Sequence, residues 1–135
     1  MKPLSALEIA AAVVLAEQVS PTESEALVEQ LKSAEVSSRE FTGVGFYTVF
    51  NVDRTLPPAL VTTSPAGWVR SEVGPDAYPL EFMLYVRNGY AEMIEAYSFD
   101  EGYGDLDILN APFTKPRAFS PDSPPAAPLP HDPPP

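Results

Sequence analysis

Apolar residues near the start of the chain recur every three or four positions, and from about Phe41 the spacing shortens to two. Leu4, Leu7, Ala11, Val14 and Leu15 make one apolar face, widened by Ile9 and Val13, which predicts a well-buried helix ending near Gln18. Ser5 and Glu8 stand at capping-box spacing at its start. Ser20-Pro21-Thr22-Glu23 predicts a second helix by the same signal. Proline is pre-set for the first helical position, and Glu23 and Glu25 complement the positive helix end. This helix is expected from Pro21 to about Ala34, burying Leu27, Leu31 and Ala34 with Val28 at the margin, while Glu29, Gln30 and Lys32 face water. The link between the helices is so short that they must meet as a hairpin or at a sharp angle.

The two-residue period predicts a strand over Gly45 to Val52, with Gly43 and Gly45 permitting a bend or bulge at its entry. No helix and no Lys-Ser or Lys-Thr pair follows the Gly-x-Gly, so it is not a phosphate loop. Leu56-Pro57-Pro58 breaks the pattern, Ala59 to Ser64 is ambiguous, and Ser64 to Gly67 reads as a turn. Trp68 to Val73 is expected as a strand stopped by Gly74-Pro75.

Pro79 to Phe99 reads as one β-hairpin around Asn88-Gly89, residues suited to a tight turn with positive φ. A two-residue loop sets Arg87 opposite Tyr90, Tyr85 opposite Glu92, Leu84 opposite Met93 and Met83 opposite Ile94. A bulge at Gly89 slips the register and sets Phe82 opposite Ile94. A slip of one residue reverses which side chains face the core, so the two registers imply different surfaces. Leu106, Ile108 and Leu109 are expected to pin the following loop onto the domain.

These elements predict an α+β fold, with two N-terminal helices packed on one face of an antiparallel sheet of about four strands. Residues 1–111 form the single expected domain. Residues 112–135 are expected as a disordered or polyproline-II tail, since half of the residues from Ser120 to Pro135 are proline and almost none are apolar. Spaced prolines of this kind are inert or dock into aromatic grooves.

Charge narrows the functional classes. The formal net charge is −11, with 19 acids against 8 bases. Such a chain repels nucleic acid and anionic membrane. The longest apolar run, Ile9 to Ala16, is far shorter than the roughly 20 residues a membrane span needs. Glu8 beside that run, and the lack of a small-x-small cleavage site after it, argue against a secretion signal. The chain contains no cysteine, which removes disulfides and thiolate chemistry and fits a reducing, cytoplasmic setting.

The single histidine, His131, lies in the proline tail, which leaves no ordered histidine for a Ser-His-Asp triad or a histidine-based zinc site. Carboxylates remain. Glu92, Glu95, Asp100, Glu101, Asp105 and Asp107 lie close in sequence, where a pair can act as acid and base or several can hold Ca²⁺ or Mg²⁺. Their spacing does not match a calcium loop, and no cofactor is expected. Between Glu72 and Asp107 nine acids accompany Arg87 as the sole base. Acids beside Tyr78, Tyr85, Tyr90, Tyr97 and Tyr103 suit docking of a basic protein, because tyrosine supplies contact area at low entropic cost and complementary charge speeds encounter. The competing reading is that half of these tyrosines fill the core.

Arg39-Glu-Phe-Thr-Gly-Val-Gly-Phe-Tyr-Thr48, followed by Phe82-Met-Leu-Tyr-Val-Arg-Asn-Gly-Tyr-Ala-Glu-Met-Ile-Glu-Ala-Tyr97, resembles small uncharacterised bacterial proteins. In these a Gly-x-Gly-Phe strand precedes an F-x-L-x-V-x-x-G hairpin ending in L-E-x-Y, and some belong with toxin-immunity loci. The resemblance spans Arg39 to Glu101. It departs at Ile94-Glu95-Ala96-Tyr97, where the pattern has Leu-Glu-Gly-Tyr, and in the proline tail. It implies no catalytic residue. The expectation is therefore a small acidic protein-binding module of immunity or inhibitor type that occludes a basic partner through Tyr85, Tyr90, Glu92, Glu95, Asp100, Glu101, Tyr103, Asp105 and Asp107. The alternative is a small carboxylate-based hydrolase or metal-dependent enzyme built on the Glu92–Asp107 cluster.

Overall fold

The computed structural model describes residues 2–61 and 68–119. Helices α1 (Ala6–Ala16) and α2 (Pro21–Lys32) precede strands β1 (Glu35–Phe41), β2 (Phe46–Asn51), β3 (Val69–Val73), β4 (Tyr78–Arg87), β5 (Tyr90–Tyr97) and β6 (Arg117–Ala118). The strands form one antiparallel sheet in the order β1-β2-β5-β4-β3-β6, with α1 against β3 and β4 and α2 against β5. The α+β class is as expected, but the sheet has six strands rather than about four.

The two additional strands lie at the edges. β1 reads Glu-Val-Ser-Ser-Arg-Glu-Phe and is almost wholly polar, because an edge strand buries little. β6 lies beyond the boundary expected at 111. Phe113 bridges Val73, the Thr114 hydroxyl accepts from the Glu72 amide at 2.9 Å, and Arg117 and Ala118 pair with Arg70 and Val69. The sheet thus takes in part of the stretch expected as tail. The proline-rich run from Ser120, the turn at Ser64 and the second half of the ambiguous piece Ala59 to Ser64 lie outside the described residues.

The core lies between the helices and the inner sheet face. Phe46, Phe50, Leu80, Phe82, Leu84 and Ile94 meet Leu7, Leu15, Leu27 and Leu31 there. Ile108 is buried in the same core, with Leu106 and Leu109 packed against it as expected. Gly45 enters β2 so close to the Ala96 carbonyl that a Cβ would collide with it, which fixes the residue type.

Two buried polar side chains join the layers. Glu8 is 0 % exposed. It closes the expected capping box with Ser5, and it also accepts from Arg39 Nη2 at 2.6 Å, from Arg39 Nε at 3.2 Å and from the Thr48 hydroxyl. One carboxylate therefore ties the start of α1 to β1 and β2. Burial pushes the Glu8 carboxyl up, but its hydrogen bonds to Arg39, Thr48 and Ser5 and the Arg39 charge outweigh this, and its pKa is lowered.

Gln30 corrects the expectation that it faces water. It is fully buried, donates to the carbonyls of Pro57 at 3.1 Å and Gly89 at 2.9 Å, and accepts from the Ala91 amide at 2.9 Å. It thus ties the hairpin end and the loop at Pro57 to α2, while the Gly89 carbonyl also accepts from the Ala59 amide at 2.7 Å. The Ser20 side chain makes no cap hydrogen bond; Pro21 begins the helix, and Glu23 instead accepts from the Leu60 amide at 2.7 Å.

The hairpin turn is the expected two-residue one, with Asn88 and Gly89 at φ 54° and 87° and Arg87 opposite Tyr90. Neither register inferred from sequence continues past Val86. Val86 pairs with Ala91, Glu92 is bulged out, and Tyr85 then pairs with Met93, Leu84 with Ile94, Met83 with Glu95 and Phe82 with Ala96. In an unbulged ladder Phe82 would face Glu95 and share its side of the sheet. The bulge sends Ile94 and Ala96 inward and Glu95 outward.

At the other edge Glu72 accepts from Arg117 Nη1 and Nη2 at 3.0 and 2.7 Å, from the Thr114 hydroxyl at 2.8 Å and from Arg70 Nε at 3.3 Å. The hydrogen bonds from Arg117, against partial burial and with help from Thr114 and Arg70, hold its carboxyl at about 2.

Glu8→Ala leaves Arg39 and Thr48 unpaired, and denaturant unfolding should show a loss of about 3–5 kcal/mol. Glu8→Gln, which keeps part of the hydrogen bonding, should lose less. Glu72 lies below its ordinary 4.5, so its stabilisation is complete above about pH 4.5 and disappears as pH falls toward 2. Protection of the Arg117 amide, taken as its exchange rate relative to an unstructured chain at the same pH, should therefore be lost across that window, and Glu72→Gln should flatten the pH dependence.

Candidate functional site

Alternation along the strands creates a second sheet face, opposite the helices. Opposed residues share a face. Glu40 opposes Tyr47, Tyr47 opposes Glu95, and Glu95 opposes Met83. In the next row Val49 opposes Met93, which opposes Tyr85. Glu81 lies between Tyr97 and Arg70. The outer face is thus a field of tyrosines and glutamates over a floor of Met83, Met93 and Val49.

Ion pairing is uneven across the chain's carboxylates. Glu8, Glu29, Glu72 and Glu92 each have a lysine or arginine within ion-pair distance. Among the described residues Glu40, Glu81 and Glu95 have no such partner. Tyr85 donates to Glu95 at 2.8 Å. Burial, then this hydrogen bond and the Glu95 charge, push the Tyr85 hydroxyl up to about 12. Burial followed by the nearby Glu81 charge raises Tyr97 to about 12 as well. The Glu95 charge is the main reason that Tyr47 is also raised. All three phenols stay protonated at neutral pH and can donate.

The residues expected to form one surface are divided. Tyr85 and Glu95 lie on the outer sheet face. Glu92 occupies the bulge and pairs with Arg87 across the turn at 2.9 Å. Tyr90 donates to the carbonyls of Arg54 and Leu56 at 3.1 and 2.8 Å, with Arg54 over its ring. Tyr103 stacks edge-on against Tyr78 and donates to the Gly45 carbonyl at 3.3 Å. Tyr90 and Tyr103 thus hold loops to the core. Asp100, Glu101, Asp105 and Asp107 are exposed on the loop after β5, and Asp107 accepts from Asn110. Among the described residues no group of three or more acids or histidines is placed to hold a metal ion, and no helix is long and apolar enough to cross a membrane.

Glu40, Tyr47 and Glu81 belong to the outer face and were missed by the sequence reading. Tyr47 and Glu40 required the β1–β2 register, and Glu81 required the strand alternation of β4. Tyr97, noted only as one of several tyrosines, completes the set.

No family model, curated protein or solved structure matches this chain.

The Tyr85–Glu95 contact can be tested directly. Glu95→Gln removes the charge that opposes phenolate formation. Spectrophotometric titration should then show tyrosines ionising at lower pH, with Tyr85 and Tyr47 chiefly responsible and Tyr97 contributing less. Glu92→Gln, at the bulge, should leave the curve unchanged.

Proposed function

We propose that this chain is a small protein-binding module of immunity or inhibitor type, which occludes a basic partner through its outer sheet face. One observation carries the reading: Glu40, Glu81 and Glu95 lack ion-pair partners among the described residues, and the strand register sets them beside Tyr47, Tyr85 and Tyr97 on one exposed sheet face. Unpaired carboxylates on a flat, tyrosine-rich surface complement lysine and arginine, and the methionine floor gives adaptable apolar contact. The net charge of −11 extends the attraction beyond the contact area. The immunity assignment rests on the resemblance of Arg39–Glu101 to bacterial proteins, and a cytoplasmic setting is part of the same proposal. Docking is centred on Glu40, Tyr47, Glu81, Tyr85, Glu95 and Tyr97, with Asp100, Glu101, Asp105 and Asp107 at the rim.

The test needs the partner, obtained by affinity purification and mass spectrometry and then purified. Association should slow as salt rises, because the screening length falls from about 10 Å at 0.1 M to about 3 Å at 1 M. Replacing Glu40, Glu81 and Glu95 together by Gln should slow association about tenfold or more, as expected for charges that steer encounter. Tyr47→Ala or Tyr97→Ala should mainly speed dissociation. Replacing Asp100, Glu101, Asp105 and Asp107 by their amides should have a smaller effect. Unchanged association in the triple variant, at every salt concentration, overturns the reading.

A further inference from the structure

The outer face ends at a groove of about 120 Å³ lined by Arg70, Pro79, Glu81, Ser98, Phe99 and Asp100. It is smaller than the roughly 300–1,000 Å³ of small-molecule sites, so it has room for the end of one side chain. Phe99 is 84 % exposed and meets the Tyr97 ring edge to face at 5.3 Å, which holds an aromatic wall upright at the rim. Below it the Asp100 amide donates to the Ser98 hydroxyl at 3.0 Å, fixing the start of the loop. Glu81 and Asp100 contribute two carboxylates with no ion-pair partner among the described residues. Arg70 is the one cation of the lining, and its Nε is directed to Glu72 at 3.3 Å.

We infer that this groove is an arginine-selective subsite, in which one guanidinium of a basic partner lies on the Phe99 ring and pairs with Glu81 and Asp100. The inference rests on the proposed binding of a basic partner by the outer face and specifies one contact of it. A planar guanidinium suits the groove better than an ammonium. It can stack on an aromatic face while its edge donates to two carboxylates, and it loses less hydration on entry. The groove carries one more negative than positive charge, so the incoming cation is balanced there.

Oligoarginine and oligolysine peptides of equal length, titrated into the full chain at low salt, test this. Both should bind through the acidic face, with oligoarginine about two- to fivefold tighter, the range a single exposed cation–π contact supplies. Amide resonances of residues 98–100 should shift with oligoarginine and much less with oligolysine. Phe99→Ala should abolish the arginine preference, and Phe99→Tyr should retain it. Because Phe99 is exposed, neither change threatens folding. Equal affinity for the two peptides, or a preference that survives Phe99→Ala, overturns the subsite and leaves the wider reading intact. Failure of the wider reading looks different: Glu40→Gln with Glu95→Gln would then weaken neither peptide.

Discussion

A carboxylate sealed from water holds this fold together at its polar β1 edge. β1 is polar and could not be kept in place by its own burial, yet it extends the sheet beside β2. Arg39 provides the anchor by reaching inward to Glu8, which is already fixed by the first turn of α1. Desolvating two charges costs several kcal/mol, and good geometry with further hydrogen bonds must offset that cost. Ser5 and Thr48 supply those bonds, and the lowered pKa of Glu8 places the balance on the charged side. Replacing such a pair with apolar residues need not destabilise a protein, so its value here is positional. It sets the β1–β2 register, which brings Glu40 opposite Tyr47 on the outer face.

The bulge at Glu92 does for the hairpin what Glu8 does for the edge. An unbulged β4–β5 ladder gives two unfavourable choices: Glu95 enters the core beside Phe82, or Phe82 faces water. One extra residue separates the two requirements, leaving Phe82 opposite Ala96 and Glu95 opposite Met83. Gln30 secures the turn side of the bulge by bonding to the Gly89 carbonyl and the Ala91 amide. The bulge therefore creates the acidic outer face while completing the core. The core and the acidic outer face are two results of one register, and losing the bulge would disturb both.

The sequence announced elements whose signal is local. Helical spacing, the Ser5–Glu8 capping box, the Asn88-Gly89 turn and the alternation of β2 and β3 all appeared where expected. What escaped was set by distant partners. β1 has no hydrophobic alternation because its key contact, Arg39 to Glu8, is 31 positions away in sequence. β6 is two residues among prolines, held by Thr114 and Arg117 on Glu72. Gln30 looked like a surface residue because its partners come from loops near Pro57 and Gly89. The candidate site was half legible for the same reason. Composition pointed to acids and tyrosines, but sequence proximity grouped Tyr85 and Glu95 with Tyr90 and Tyr103, whose hydroxyls hold loops to backbone carbonyls.

On the proposed reading, the outer face is also a compromise between stability and readiness to bind. Like-signed glutamates spread over one sheet face repel one another, a cost that is small in water and grows when a partner excludes water without supplying cations. Arginines exist nearby that could have neutralised it, but Arg70 and Arg117 both turn to Glu72 at the β3–β6 edge, and Arg39 turns inward to Glu8. Basic residues are thus spent on edges that need fastening, and the centre keeps its charge. The tyrosines moderate the repulsion by offering neutral donors, as Tyr85 does to Glu95, without cancelling the field. A surface of this kind discriminates by exclusion. Under the proposed reading, an acidic or apolar protein would have to desolvate these carboxylates with no cation to pair them, whereas a basic one meets charges that no lysine or arginine of the described residues neutralises.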